Sequence, residues 1–106
     1  MSGIGETLDA LMATVEARKG TDPKESYTAS LLSAGRERCA KKLGEEAVEA
    51  ALAGALGQKD ELAAEAADVL YHLAVLLAAN EIGWDEVAAK LAGRTGQSGH
   101  EEKATR

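Results

Sequence analysis

Two short stretches of this sequence carry side chains whose types and spacing could do chemistry. Glu45, Glu46 and Glu49 lie in the first, and Glu61, Glu65, Asp68 and His72 in the second. If the second stretch is helical, offsets of four, seven and eleven at about 100° per residue put its four polar groups within roughly 60° of arc. By the same count the first three carboxylates span about 100°. No Lys or Arg occurs between residues 61 and 79. An ordinary solvated helix face mixes Lys with Glu, whereas carboxylates stacked alone raise one another's pKa unless a cation neutralises them. Glu46-x-x-Glu49 and Glu65-x-x-Asp68 each set two carboxylates one helical turn apart. Four oxygen ligands, Glu46, Glu49, Glu65 and Asp68, converging from two helices suit a hard cation such as Mg²⁺. With no Cys in the cluster and His72 its only nitrogen, structural zinc is disfavoured. A single such pair is commonplace on a solvated helix. Two on neighbouring helices, the second free of basic residues, favour a metal–carboxylate site.

The elements that must position these groups follow from hydrophobic periodicity. Ile4, Leu8, Leu11, Met12 and Val15 predict an amphipathic helix over 4–18, stopped at Gly20-Thr21-Asp22-Pro23. Ser26-Tyr27-Thr28 supplies hydroxyl caps for a short helix through Leu32 that closes at Gly35. A third helix is expected from Arg36 to about Leu56. A fourth runs from Glu61 to about Asn80, with Asp60 as its N-cap, and a fifth from Trp84 to about Leu91. The fourth carries one apolar stripe (Leu62, Ala66, Val69, Leu70, Leu73, Leu76, Leu77) and a second face of small residues with Tyr71. Apolar on two sides, it should be buried on two sides, with its carboxylates in a crevice. On the third helix Cys39, Leu43, Ala47, Ala50 and Ala51 should pack the core, and the helix-interior Gly44 and Gly54 permit close approach of a helix or a ligand. A short link makes the third and fourth helices an antiparallel pair whose acidic strips can face each other.

Bulk composition agrees. The chain has 106 residues, which suits one domain over 1–106, with 93–106 a flexible tail. Apolar residues are 45% of it and aromatic ones 3%, with no Phe. Much of the apolar share is alanine, which favours helix over strand. The fold class expected is all-α, a four- to five-helix bundle small enough to gain from self-association. A net charge of −6 argues against a sequence-independent nucleic-acid binder. It leaves room for a polyphosphate held through a divalent metal. The lone Cys39 forms no intrachain disulfide and, on an apolar face, reads as a buried small hydrophobe. The N-terminus lacks a basic region followed by an apolar one, and no apolar run reaches the roughly 18 residues of a bilayer span. The expectation is a cytoplasmic protein without membrane contact.

At the acidic strips a family becomes visible. Lys41-Lys42-Leu43-Gly44-Glu45-Glu46-Ala47-Val48-Glu49, followed by Glu65-Ala66-Ala67-Asp68-Val69-Leu70-Tyr71-His72, resembles the phosphoribosyl-ATP pyrophosphatases. These belong to the all-α nucleotide pyrophosphatase (all-α NTP pyrophosphatase-like) superfamily, which shares the metal signature EExxE then ExxD. Ser26-Tyr27-Thr28 before Leu31-Leu32, the Lys-Lys-x-Gly lead-in, Tyr71-His72 and the tail Arg94-Thr95-Gly96-Gln97-Ser98-Gly99 are similar to the phosphoribosyl-ATP branch. The resemblance covers the chain from about Leu8 onward. It implies hydrolysis of phosphoribosyl-ATP to phosphoribosyl-AMP and pyrophosphate, the second step of histidine biosynthesis. It also implies Mg²⁺ dependence and a homodimer that completes the bundle.

On that basis Glu46, Glu49, Glu65 and Asp68 are expected to hold Mg²⁺, and Glu45 to complete a second metal site or act as general base. Lys42 is the first candidate for a phosphate contact, with Lys41 and Arg38 next. The alternative for Lys42 is an i,i+4 pair with Glu46. His72 and Tyr27 are candidates for substrate contact. Against these stand a hydrogen-bonded core histidine and a hydroxyl-capped turn. Trp84 reads as packing the start of its helix in preference to stacking on a base. Arg94 and Lys103 read as solvated tail residues, in preference to phosphate contacts supplied from the tail, to this subunit or a neighbouring one. Two alternatives have different consequences. A house-cleaning pyrophosphatase of the same superfamily would hydrolyse (d)NTPs, and a helical interaction module would hydrolyse nothing.

Overall fold

A computed structural model describes residues 3–95, which form five helices joined by short turns, with no strand among them. The helices are α1 (Ile4–Ala17), α2 (Tyr27–Ala34), α3 (Arg36–Ala55), α4 (Lys59–Ala79) and α5 (Trp84–Thr95). The all-α expectation is met. The fifth helix, expected to about Leu91, continues through Gly93 and Arg94 to Thr95. Gly96 through Arg106, Lys103 among them, lie outside the described residues.

Local chemistry sets most boundaries. After α1 the chain turns at Gly20, whose φ of 79° suits glycine. The Asp22 carboxylate accepts the Lys24 amide at 2.9 Å across Pro23. Ser26 caps α2, its Oγ accepting from Ala29 N at 3.1 Å. Between α3 and α4, Gly57 at φ 72° carries a paired closure: Gln58 N donates to Ala53 O and Gly57 N to Gly54 O. The expected Asp60 cap is not found. The N-cap position of α4 is Gln58, without a side-chain cap bond, and Asp60 sits inside the first turn, where a negative charge favours the helix dipole. At the other end of α4 the same two-bond closure, Ile82 N to Leu77 O and Glu81 N to Ala78 O, places Glu81 at φ 60°.

The core lies at one end of the molecule. Met12 and Val15 of α1, Leu31 of α2, Cys39 of α3, and Ala74, Val75 and Ala78 of α4 form its buried cluster. Trp84 packs against it and its indole N–H donates to Leu8 O at 2.8 Å, tying α5 to α1, as the packing reading required. Cys39 is 1% exposed, its Sγ directed at Leu31 O, and burial pushes its thiol pKa up. It is a core residue and not a reactive thiol.

Beyond this cluster α3 and α4 continue as a pair packed chiefly on each other. Two-sided burial of α4 therefore holds only in its C-terminal half. Leu62, Ala64, Ala66 and Ala67 are exposed within one chain, as are Ala47 and Ala51 of α3, which were expected in the core. The reason is geometric: α1 and α2 pack at the C-terminal end of α4, away from the turn at Gly57. Averaged over 18 residues, α4 is long and apolar enough to cross a membrane, although no uninterrupted run is. Its acidic strip and its packing on α3 mark it as the central helix of this bundle.

Candidate metal and substrate site

Antiparallel pairing of α3 and α4 brings the two acidic strips face to face. One carboxylate oxygen each from Glu46, Glu49 and Glu65 fall within 4.8 Å of one another. Glu65 Oε2 is fully covered and receives no donor among the described residues. Its neighbours are two further carboxylates, which can bond to it only by sharing a proton. Burial first, then the charge of Glu49 and hydrogen bonds with Glu49 and Glu46, push the Glu65 carboxyl up to about 7. Converging carboxylate oxygens of this kind, one of them orphaned, could hold a hard divalent cation. A groove of about 370 Å³ opens beside it, lined by Glu49, Leu52, Ala53, Gln58, Glu61 and Glu65. A larger groove, of about 540 Å³, shares no lining residue with the acidic strips.

The other expected site residues are distributed around this triad. Asp68, exposed on the next turn of α4, does not join the three converging oxygens. Its side chain is one methylene shorter than Glu. Glu45 turns to Lys42, Nζ to Oε1 at 3.3 Å. Lys42 thus makes an i,i+3 pair with Glu45 in place of the i,i+4 pair with Glu46. That hydrogen bond and the phenol of Tyr27 hold the ammonium pKa up. Arg38 and Lys41 are exposed on α3. His72 is buried, 6% exposed, and burial lowers its pKa against the opposing pull of Glu46. Lys42, Asp68 and Glu45 also act on it, so it sits where the two strips and the lysine meet.

Around His72 the structure gathers Tyr27, already a candidate, with Tyr71 and Thr28, to which no site role had been assigned. Tyr27 stands edge-on to the imidazole at 6.4 Å between ring centroids and Tyr71 at 4.9 Å. The Tyr71 hydroxyl hydrogen-bonds Thr28 Oγ1 across 43 residues of sequence. Thr28 had read as part of a hydroxyl-capped turn, but only Ser26 caps. The signal that could have found the pair is two hydroxyl side chains, each next to a candidate contact.

Comparison with known proteins decides among the readings. The sequence profile of the phosphoribosyl-ATP pyrophosphohydrolase family matches residues 8–95. The chain belongs to this family. It is 59% identical over 99 residues to the phosphoribosyl-ATP pyrophosphatase of Cereibacter sphaeroides (strain KD131 / KCTC 12085), covering 93% of this chain and 96% of that one. Identity to the Ruegeria pomeroyi phosphoribosyl-ATP pyrophosphatase is 54% over 99 residues, covering 93% and 94%. With the protein of the same name in Methylobacterium radiotolerans it is 60% over 100 residues, 94% of each. All the residues of the triad and the His72 cluster lie inside the matched span.

Proposed function

We propose that this chain hydrolyses phosphoribosyl-ATP to phosphoribosyl-AMP and pyrophosphate, the second step of histidine biosynthesis, with Mg²⁺ as its cofactor. It would act in the cytoplasm, as a homodimer, on a small-molecule substrate, and engage neither nucleic acid nor membrane. The near full-length match to proteins of that name supports the reaction. The observation that carries the site is the Glu46–Glu49–Glu65 triad with its unpartnered Oε2.

In this reading Glu46, Glu49, Glu65 and Asp68 would hold Mg²⁺, the first three from carboxylates that already converge. The chemistry a bound Mg²⁺ would supply there is neutralisation of the pyrophosphate oxygens and a lowered pKa for the attacking water. Glu45, held beside Lys42, is the candidate general base. Lys42 contacts a phosphate oxygen, with Lys41 and Arg38 on the approach to the site. His72, whose pKa burial lowers, offers one hydrogen bond to the substrate, and Tyr27 offers an exposed phenol next to it. The exposed row Val48, Leu52 and Leu56 on α3 is apolar at i,i+4 spacing, which favours a second copy over bare solvent.

Product analysis tests this. The purified chain is incubated with phosphoribosyl-ATP, with and without Mg²⁺, beside a panel of nucleoside triphosphates. Mg²⁺-dependent release of pyrophosphate from phosphoribosyl-ATP alone is the expected result. Hydrolysis of a triphosphate instead would move the chain to the house-cleaning branch, and no hydrolysis would sink the reading.

A further inference from the structure

We propose that Tyr71 and Thr28 are a positioning pair whose hydroxyl–hydroxyl bond sets Tyr27 against the substrate. The inference rests on the reading above that Tyr27 contacts phosphoribosyl-ATP. Tyr27 is the first residue of α2 and is 56% exposed, so its own packing does little to fix it. The cap bond of Ser26, on one side, is local: it reaches only Ala29. Thr28, on the other, reaches α4, where its half-buried hydroxyl meets the half-buried phenol of Tyr71. Tyr71 immediately precedes His72 and packs edge-on to its ring, while Tyr27 approaches the same ring from α2. One bond thereby links the helix that carries Tyr27 to the turn of α4 that carries His72. Among the hydrogen bonds recorded for described side chains, it alone joins the first turn of α2 to another helix. Neither hydroxyl needs to touch substrate for the bond to matter. Loss of it leaves Tyr27 free to sample positions that do not bind, which weakens binding without altering the chemical step.

The test is a set of steady-state measurements with phosphoribosyl-ATP at saturating Mg²⁺. Tyr71→Phe and Thr28→Val should each raise KM about threefold to tenfold, the worth of one ordinary hydrogen bond, with kcat changed less than KM. Thr28→Ser, which keeps the hydroxyl, should restore the parental KM. In a Tyr27→Ala background, Tyr71→Phe should raise KM no further, because nothing remains to be positioned. A pair that merely stabilises the fold would lower the thermal midpoint and act equally in both backgrounds, and that result overturns the proposal. If Tyr27→Ala leaves KM unchanged, the substrate contact and the positioning role fall together. If Tyr27→Ala raises KM but Tyr71→Phe does not, only the positioning role falls.

Discussion

At the residue scale the acidic site turns on Glu65. A carboxyl whose ordinary value is 4.5 and which is pushed to about 7 binds its proton more tightly folded than unfolded. The stability this contributes is complete below about pH 4.5 and is lost as pH rises through 7. The metal-free protein should therefore show a thermal midpoint that falls between pH 5 and 8, and Glu65→Gln, a neutral analogue, should flatten that fall. Mg²⁺ bound by these carboxylates, as proposed, would compete with the proton for the same oxygens, so its stabilising effect should grow over the same pH interval. A pH-independent midpoint in the parent chain would contradict the convergence of the three carboxylates. Asp68 gives a second prediction. Asp68→Asn should cut kcat/KM by about a hundredfold or more if its charge is used in the reaction. The thermal midpoint should hardly move, since the side chain is exposed. Activity near that of the parent would leave Asp68 outside the site, where the structure shows it apart from the triad.

At the element scale the helix ends and interiors leave room for stabilisation. Glu81 sits at φ 60°, the left-handed conformation that closes α4 and that glycine adopts without cost. Glu81→Gly should stabilise by about 0.5–1 kcal/mol. Gly54 is interior to α3, and a Cβ there would meet the Leu62 methyl groups at 3.6 Å, an ordinary contact. Gly54→Ala should gain about 1 kcal/mol, seen in thermal unfolding as a rise of roughly 4–8 °C. A loss instead would mean that another surface needs that space, which a single chain does not show. Gly44 has nothing within 4 Å of such a Cβ, so close helix packing within the chain does not account for it.

At the scale of the whole molecule the core occupies one end and the α3–α4 pair extends beyond it. The radius of gyration is 15.6 Å, against about 13 Å for a compact chain of this length. Of the most apolar 18 residues of α4, only 22% are buried within one chain. Val48, Leu52 and Leu56 stand 58–70% exposed along α3. A second copy packed on this region would bury them and bring its own helices near the acidic groove. Sedimentation should give twice the 11.0 kDa of one chain. Leu52→Glu should shift the mass toward one chain and lower activity with it; a monomeric and fully active parent would exclude the dimer.

The sequence by itself determined the five helices, because a 3.6-residue apolar period and Gly/Pro punctuation are local properties. It determined the angular grouping of Glu45, Glu46 and Glu49 and of Glu65, Asp68 and His72, since angle around one helix axis follows from residue number alone. It also carried the motifs by which the family is recognised. Tertiary structure decided which groups meet. Distance between two strips depends on helix register and rotamer. Register is set by the closure at Gly57 and, at the far end, by the buried cluster that holds Cys39 of α3 with Ala74, Val75 and Ala78 of α4. So Glu46, Glu49 and Glu65 converge, Asp68 stays one turn away, and Glu45 goes to Lys42. Thr28 and Tyr71, 43 residues apart, meet for the same reason: no period or spacing reports a contact between two helices until packing has fixed both.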